Sequence, residues 1–228
     1  MSKASDSPIL RPRQARYLTG LLPPRDRIFR EMESYAAEHD VPIARPELAR
    51  LLEALAASRP AGRLLEVGTA IGYGALALAR GAREGRVVTV DRDPERLALA
   101  KEYLGRAGVL DRVELLQGEA LATIESLAGP FDLVYLDGDK REYRRTLDLL
   151  LPKLVVGGFV VVDNLLWKGR IGDPDLRPDD DRDAAEIERF NPYLTIHPQL
   201  ASVLLPLGDG VGLAVKRKPT IREMGGPF

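Results

Sequence analysis

The chain has no cysteine, only two histidines (His39 and His197) and a single tryptophan, Trp167, among its 228 residues. Without cysteine there is no disulfide, no thiolate metal site and no cysteine nucleophile. Two histidines are too few for a multi-histidine metal site. Long apolar runs are also missing. The best of them are broken by Lys153 or Asp163, and the N-terminus lacks the apolar core of a signal peptide, so no membrane span is expected and a cytoplasmic location fits. Neither G-x-S-x-G nor G-x-x-x-x-G-K-[ST] occurs. The formal net charge is only -1, which gives no global pull toward nucleic acid or membrane. Any chemistry must come from carboxylates, amides, lysine or arginine.

What is present is an alternation. A hydrophobic content of 45% is enough for one sizeable core. Residues 15–38 read as one or two amphipathic helices interrupted by Pro23-Pro24, and residues 46–58 as a helix opened by Pro46. From residue 63 onward, β-rich runs (RLLEVG, RVVTVD, RVELLQG, FDLVYLD, GFVVVDN) alternate with helical stretches, which predicts a mostly parallel α/β sheet covered on both faces. SVLLPL, a GDG turn and VGLAVKR predict a C-terminal antiparallel hairpin that closes the sheet. The acidic segment GDPDLRPDDDRD (172–183) reads as a loop feeding the helix AAEIERF. The expected organisation is an N-terminal helical extension over 1–60, a core over 61–218 and a tail over 219–228.

The first strand-to-helix turn, LLEVGTAIGYG, carries Glu66, Gly68, Gly72 and Gly74. Glycines there let a ligand approach the backbone, and the following helix offers free N–H groups to an anion. The spacing E-x-G-x-x-x-G differs from the G-x-G-x-x-G of a dinucleotide fold, which argues against a nicotinamide dehydrogenase. Asp91 ends the second strand, where an acid can accept from both hydroxyls of a ribose. Gly118, Glu119 and Ala120, at the end of the third strand, could flank an adenine. In order and at strand ends, these features favour a bound nucleoside. The pattern resembles the class I S-adenosylmethionine-dependent methyltransferases, a Rossmann-like fold. The resemblance implies a seven-stranded sheet in the order 3-2-1-4-5-7-6 with one antiparallel strand.

Two further strand ends carry charge. FDLVYLDGDK places Asp137 and Lys140 after the fourth strand, and VVVDNLLWKG places Asp163 and Asn164 after the fifth. One crossover separates these strands, so the acids can converge. Two carboxylates and an amide oxygen suit a hard cation such as Mg²⁺, with Ca²⁺ or Mn²⁺ able to occupy the same site. Together with RFN and LLPLGDGVGLAVKRK, the D-x-D-K and D-N-x-x-W motifs resemble the metal-dependent O-methyltransferases, the group containing catechol and caffeoyl-CoA O-methyltransferases, over roughly residues 17–217. The resemblance implies Asp137, Asp163 and Asn164 as metal ligands and Lys140 as the base, with its neutral form favoured by a nearby cation. It also implies that Glu66, Gly68, Asp91, Gly118, Glu119, Ala120 and Asp137 line the cofactor and that Trp167 lies by the acceptor. Asp139 is expected to be structural or solvated. Gly74 departs from the serine of many members, so that contact with the cofactor carboxylate must come from elsewhere.

Any acceptor with two adjacent oxygens could chelate such a cation. A small catechol-like phenol is the first expectation. The alternative is tRNA 5-hydroxyuridine, because YLTGLLPPRDRIFREMESYAAEHDVPI and NPYLTIHPQLASVLLPLGDG are similar to the bacterial tRNA 5-hydroxyuridine methyltransferase branch. Residues 1–30 carry Lys3, Arg11, Arg13, Arg16, Arg25, Arg27 and Arg30 against Asp6 and Asp26, a local +5, and Arg141, Arg144 and Arg145 follow Lys140; both groups could meet phosphate. A regulatory subunit that binds S-adenosylmethionine without transfer, and an aminopropyl transferase, are the remaining alternatives; both leave the metal-like set unexplained. The family resemblance implies a homodimer.

Overall fold

The computed structural model describes residues 11–172, 175 and 181–218. Lys3 and Asp6 of the basic segment, residues 173–174 and 176–180 of the acidic one, and the tail lie outside the described residues. The helices are α1 (Pro12–Gly20), α2 (Arg27–Glu38), α3 (Pro46–Ala57), α4 (Tyr73–Gly81), α5 (Pro94–Arg106), α6 (Ala120–Ser126), α7 (Tyr143–Leu150) and α8 (Arg182–Ile196). The strands are β1 (Arg63–Val67), β2 (Arg86–Asp91), β3 (Val113–Gln117), β4 (Phe131–Leu136), β5 (Leu154–Val162), β6 (Leu200–Leu205) and β7 (Val211–Lys216).

The strands form one sheet in the order β3-β2-β1-β4-β5-β7-β6. The first five are parallel, and β7 pairs antiparallel with both β5 and β6. The expected strand order and C-terminal hairpin are both present, and the hairpin completes one end of the sheet. β7 is inserted beside β5, and β6 forms the edge. The apolar content of the two strands agrees with this: Val211 and Ala214 of β7 are buried, whereas Val203 of β6 is 48% exposed.

Strand alternation divides the core in two. Leu64, Val87, Leu133, Tyr135 and Val161 face α2–α5, packing with Met32, Leu52 and Leu76. Leu65, Val88, Val134, Leu136, Val160 and Val162 face α6–α8, packing with Ile124, Leu147 and Phe190. Phe131 and Leu133 fall on opposite sides despite being two apart, because the β4–β5 register shifts between them. The chain beside this irregularity is anchored by Arg63 N–H donating to Asp132 at 2.9 Å.

Helix limits follow local chemistry. Pro23-Pro24 separates α1 from α2, and Asp26 caps α2 by accepting from Phe29 N–H. Gly108, with φ +70, lies just beyond α5, where a left-handed glycine ends a helix well. Lys153 donates from Nζ to the carbonyls of Ile124, Glu125 and Leu127, placing a cation on the carbonyl-rich end of α6. The last helix is longer than the AAEIERF reading. It begins at Arg182 and runs through Pro192 to Ile196. Burial of Ile187, Phe190, Asn191 and Leu194 holds this face down despite the proline.

Candidate active site

The carboxyl ends of five parallel strands are joined by hydrogen bonds into one rim. Gly118 N–H donates to Asp91 O, Gly68 N–H to Val90 O, Asp137 N–H to Val67 O and Asp163 N–H to Leu136 O, all within 2.8–3.0 Å. The sequence-derived positions after β3, β2, β1, β4 and β5 are therefore brought together at the edge where open α/β sheets bind ligands.

On one half of this rim lies the glycine loop. Gly68 has φ +99, and a Cβ there would stand 2.3 Å from Asp137 O, so only glycine lets this turn pass so close to the end of β4. Asp91 accepts from Ala70 N–H at 2.8 Å with one oxygen and from Asp93 N–H at 3.1 Å with the other. It braces the loop while keeping lone pairs for a ribose. Gly118, Glu119 and Ala120 lead from β3 into α6, with Glu119 at its cap.

Glu66 is buried beneath the start of α4. It accepts from Thr89 Oγ1 at 2.5 Å, and Thr69 Oγ1 lies 2.6 Å from that hydroxyl. Burial pushes its carboxyl well above the usual carboxylate range, reinforced by Asp137 and Asp91 and opposed by bonds from Thr89 and Ala75 N–H. A Cβ on Gly74 would come within 2.1 Å of Glu66 Oε1. The glycine that departs from the serine pattern thus leaves the space this carboxylate fills.

The other half of the rim is acidic. Lys140 Nζ donates to Asp137 Oδ1 at 3.0 Å, and Tyr135 Oη donates to Asp137 Oδ2 at 3.1 Å. Asp163 is buried, with Oδ1 accepting from Asn164 N–H at 2.7 Å. Burial raises its carboxyl to about 7, Asp137 adds to the rise, and Asn164 N–H and Lys140 oppose it. Tyr143 Oη donates to the Asp163 carbonyl at 3.1 Å. Among the described residues, no three His, Cys, Asp or Glu side chains gather to hold a metal. Asp137, Asp163 and Asn164 offer two carboxylates and an amide, a set that would fit a hard cation, and the charge of buried Asp163 beside Asp137 is what a cation would relieve.

Several partners of this site were not legible as such. Trp167 Nε1 donates to Asp181 Oδ2 at 2.9 Å, and Asp181 also caps α8 through Ala184 N–H. Its position within an acidic run concealed this role. Asp209 sits in the GDG turn and accepts from Lys168 N–H at 2.7 Å. Tyr135 and Tyr143 were not singled out by the sequence. Asp139 caps a short turn and binds Arg141 through N–H, Nε and guanidinium. Arg145 pairs with Glu125, and Arg144 stacks over Tyr193.

Residues 27–217 match the family model described as O-methyltransferase. A catechol O-methyltransferase of Mycobacterium tuberculosis is 40% identical over 170 residues, covering 72% of this chain and 76% of that protein. Tricin synthase 1 of rice (Oryza sativa subsp. japonica) is 32% identical, covering 72% and 70%. Among solved structures, cofactor-bound Rv0187 from MTB superposes with a TM-score of 0.81 at 32% identity, covering 96% of this chain and 99% of that one. The O-methyltransferase from Bacillus cereus in complex with SAH gives 0.78 at 28% identity, covering 89% and 96%. With this family model matched over residues 27–217 and these relatives covered over most of their length, the chain belongs to the O-methyltransferase family and is an S-adenosylmethionine-dependent O-methyltransferase.

Proposed function

We propose that the chain methylates one of two neighbouring oxygens on a small catechol-like phenol, with a divalent cation held by Asp137, Asp163 and Asn164. The observation that carries this reading is the acid pair at the ends of β4 and β5, where Asp163 is buried against Asp137 and raised to about 7. When bound, the cation would supply charge that favours the deprotonated phenol and gathers both oxygens. Mg²⁺ is the first choice for such a donor set.

The chain's own groups do the rest. Asp91 and the glycine loop seat the nucleoside and amino-acid parts of the cofactor, and Gly118, Glu119 and Ala120 border its base. Lys140, 10% exposed and resting on Asp137, accepts the acceptor's hydroxyl proton. Trp167, held by Asp181, forms a wall beside the acceptor. Catalysis then comes mainly from placement of the two reactants. The test is transfer from labelled S-adenosylmethionine to catechols, with Mg²⁺ and after thorough chelation. Transfer that persists without metal refutes the cation's role.

A second reading, methylation of tRNA 5-hydroxyuridine, draws on the exposed Arg11, Arg13 and Arg16 around α1 and uses the same chemistry. tRNA carrying 5-hydroxyuridine, run in the same assay, separates the two acceptors. A cytoplasmic homodimer is also proposed. Tyr17, Leu18 and Leu21 are 67%, 50% and 62% exposed on and just after α1, and pairing of two copies would cover them.

A further inference from the structure

The segment leaving β5 is held in an unfavourable shape. Asn164, Trp167 and Lys168 have φ values of +62, +45 and +58. Left-handed non-glycine residues are strained and persist only where surroundings impose them. Here the turn between β6 and β7 imposes them. Leu165 N–H donates to Gly210 O at 2.9 Å and Leu166 N–H to Asp209 O at 2.8 Å. Lys168 N–H donates to Asp209 Oδ1 at 2.7 Å, and the Asn164 side chain lies near the same carboxylate. Gly210 permits the contact, because a Cβ there would stand 2.5 Å from Leu166 Cγ and 2.8 Å from Leu166 N.

An asparagine can serve a cation only through its oxygen, so its NH₂ must be directed elsewhere. A carboxylate accepts from NH₂ and cannot donate to the oxygen, which fixes the amide's orientation. We infer that Asp209 is a positioning residue for Asn164, gripping the loop at Leu166 and Lys168 beside it so that the amide oxygen faces the acid pair. Asp209 also explains why an amide stands at 164. An aspartate there would set two carboxylates against each other with no proton between them. The ligand set keeps two negative charges, those of Asp137 and Asp163, while Arg45 and Lys168 lie near Asp209.

The inference rests on the proposed cation site, and two conservative substitutions loosen the grip in different ways. Asp209→Asn keeps an acceptor oxygen but adds an NH₂ that can donate to the Asn164 oxygen, so the amide is no longer held one way round. Asp209→Glu keeps the charge and displaces the carboxylate by a methylene. Mn²⁺ affinity is read by loss of the free-ion EPR signal, with SAH affinity and melting temperature in chelator measured alongside. The expected result is Mn²⁺ binding roughly tenfold weaker than wild type in both variants, the range for groups that orient a ligand. SAH affinity stays within about twofold in both. Wild-type Mn²⁺ affinity in either variant overturns the inference. The cation reading itself is checked by Asp163→Asn. Unchanged Mn²⁺ binding there sinks that reading whatever position 209 does.

Discussion

Removing the charge of Asp163 should stabilise the protein when no metal is present. Carrying a carboxyl from its ordinary 3.8 up to about 7 corresponds to roughly 4 kcal/mol against the ionised form. The unfolded chain ionises this group near 3.8, whereas the folded protein holds the proton until about 7. Stability is therefore lost as pH rises through that window and stays reduced above it. Asp163→Asn removes the penalty and keeps an oxygen for the Asn164 N–H. Glu66, raised in the same direction, is present in both proteins and cancels in the comparison. Allowing for relaxation and for the lost attraction to Lys140, about half of the 4 kcal/mol should survive, a gain of roughly 4–8 °C in melting temperature for a chain of this size. The assay is thermal unfolding in EDTA at pH 8 and pH 4.5, repeated at pH 8 with Mg²⁺. The variant should melt higher at pH 8, the gap should shrink toward zero at pH 4.5, and Mg²⁺ should raise the wild type alone. A variant no more stable than wild type at pH 8 in EDTA, or a gap that ignores pH, refutes the reasoning.

Three more outcomes are expected. Lys140→Ala should lower kcat by about a hundredfold or more, the scale of a lost general base, and flatten its rise with pH; an unaltered rate and pH profile would rule out the base role. Asp91→Ala removes the brace on Ala70 and Asp93 N–H as well as the ribose acceptor, so SAH affinity by calorimetry should fall at least about tenfold, and unchanged affinity contradicts the assignment. Leu52, fully buried in the α2–α5 core, should cost about 2–5 kcal/mol on truncation to alanine by urea denaturation, with the Mn²⁺ affinity of the folded fraction unchanged.

The strand ends were readable because an apolar run that stops in an acid has few structural uses. Asp91, Asp137 and Asp163 each follow such a run, and parallel pairing carries all three to one edge. The glycine loop was readable for a related reason, since Gly68 and Gly72 take left-handed turns closed to other residues. Asp209 gave no such signal. A GDG turn is explained fully by hairpin geometry, and its second use depends on β7 lying beside β5, a contact made far along the chain. Tyr135 was hidden by alternation, which assigns its ring to the core and says nothing of a hydroxyl at the ring's far end. The length of α8 was obscured by Pro192, because packing of Phe190 and Leu194 outweighs a local preference that sequence reading weighs first.

The insertion of β7 between β5 and β6 also divides the rim by chain position. The glycine loop, Asp91 and Asp137 all precede residue 140, so that half of the rim is drawn from the first part of the chain. Asn164's loop is clamped by the turn at Asp209 and Gly210, far along the chain. The two halves of the rim therefore answer to changes in different stretches of the sequence.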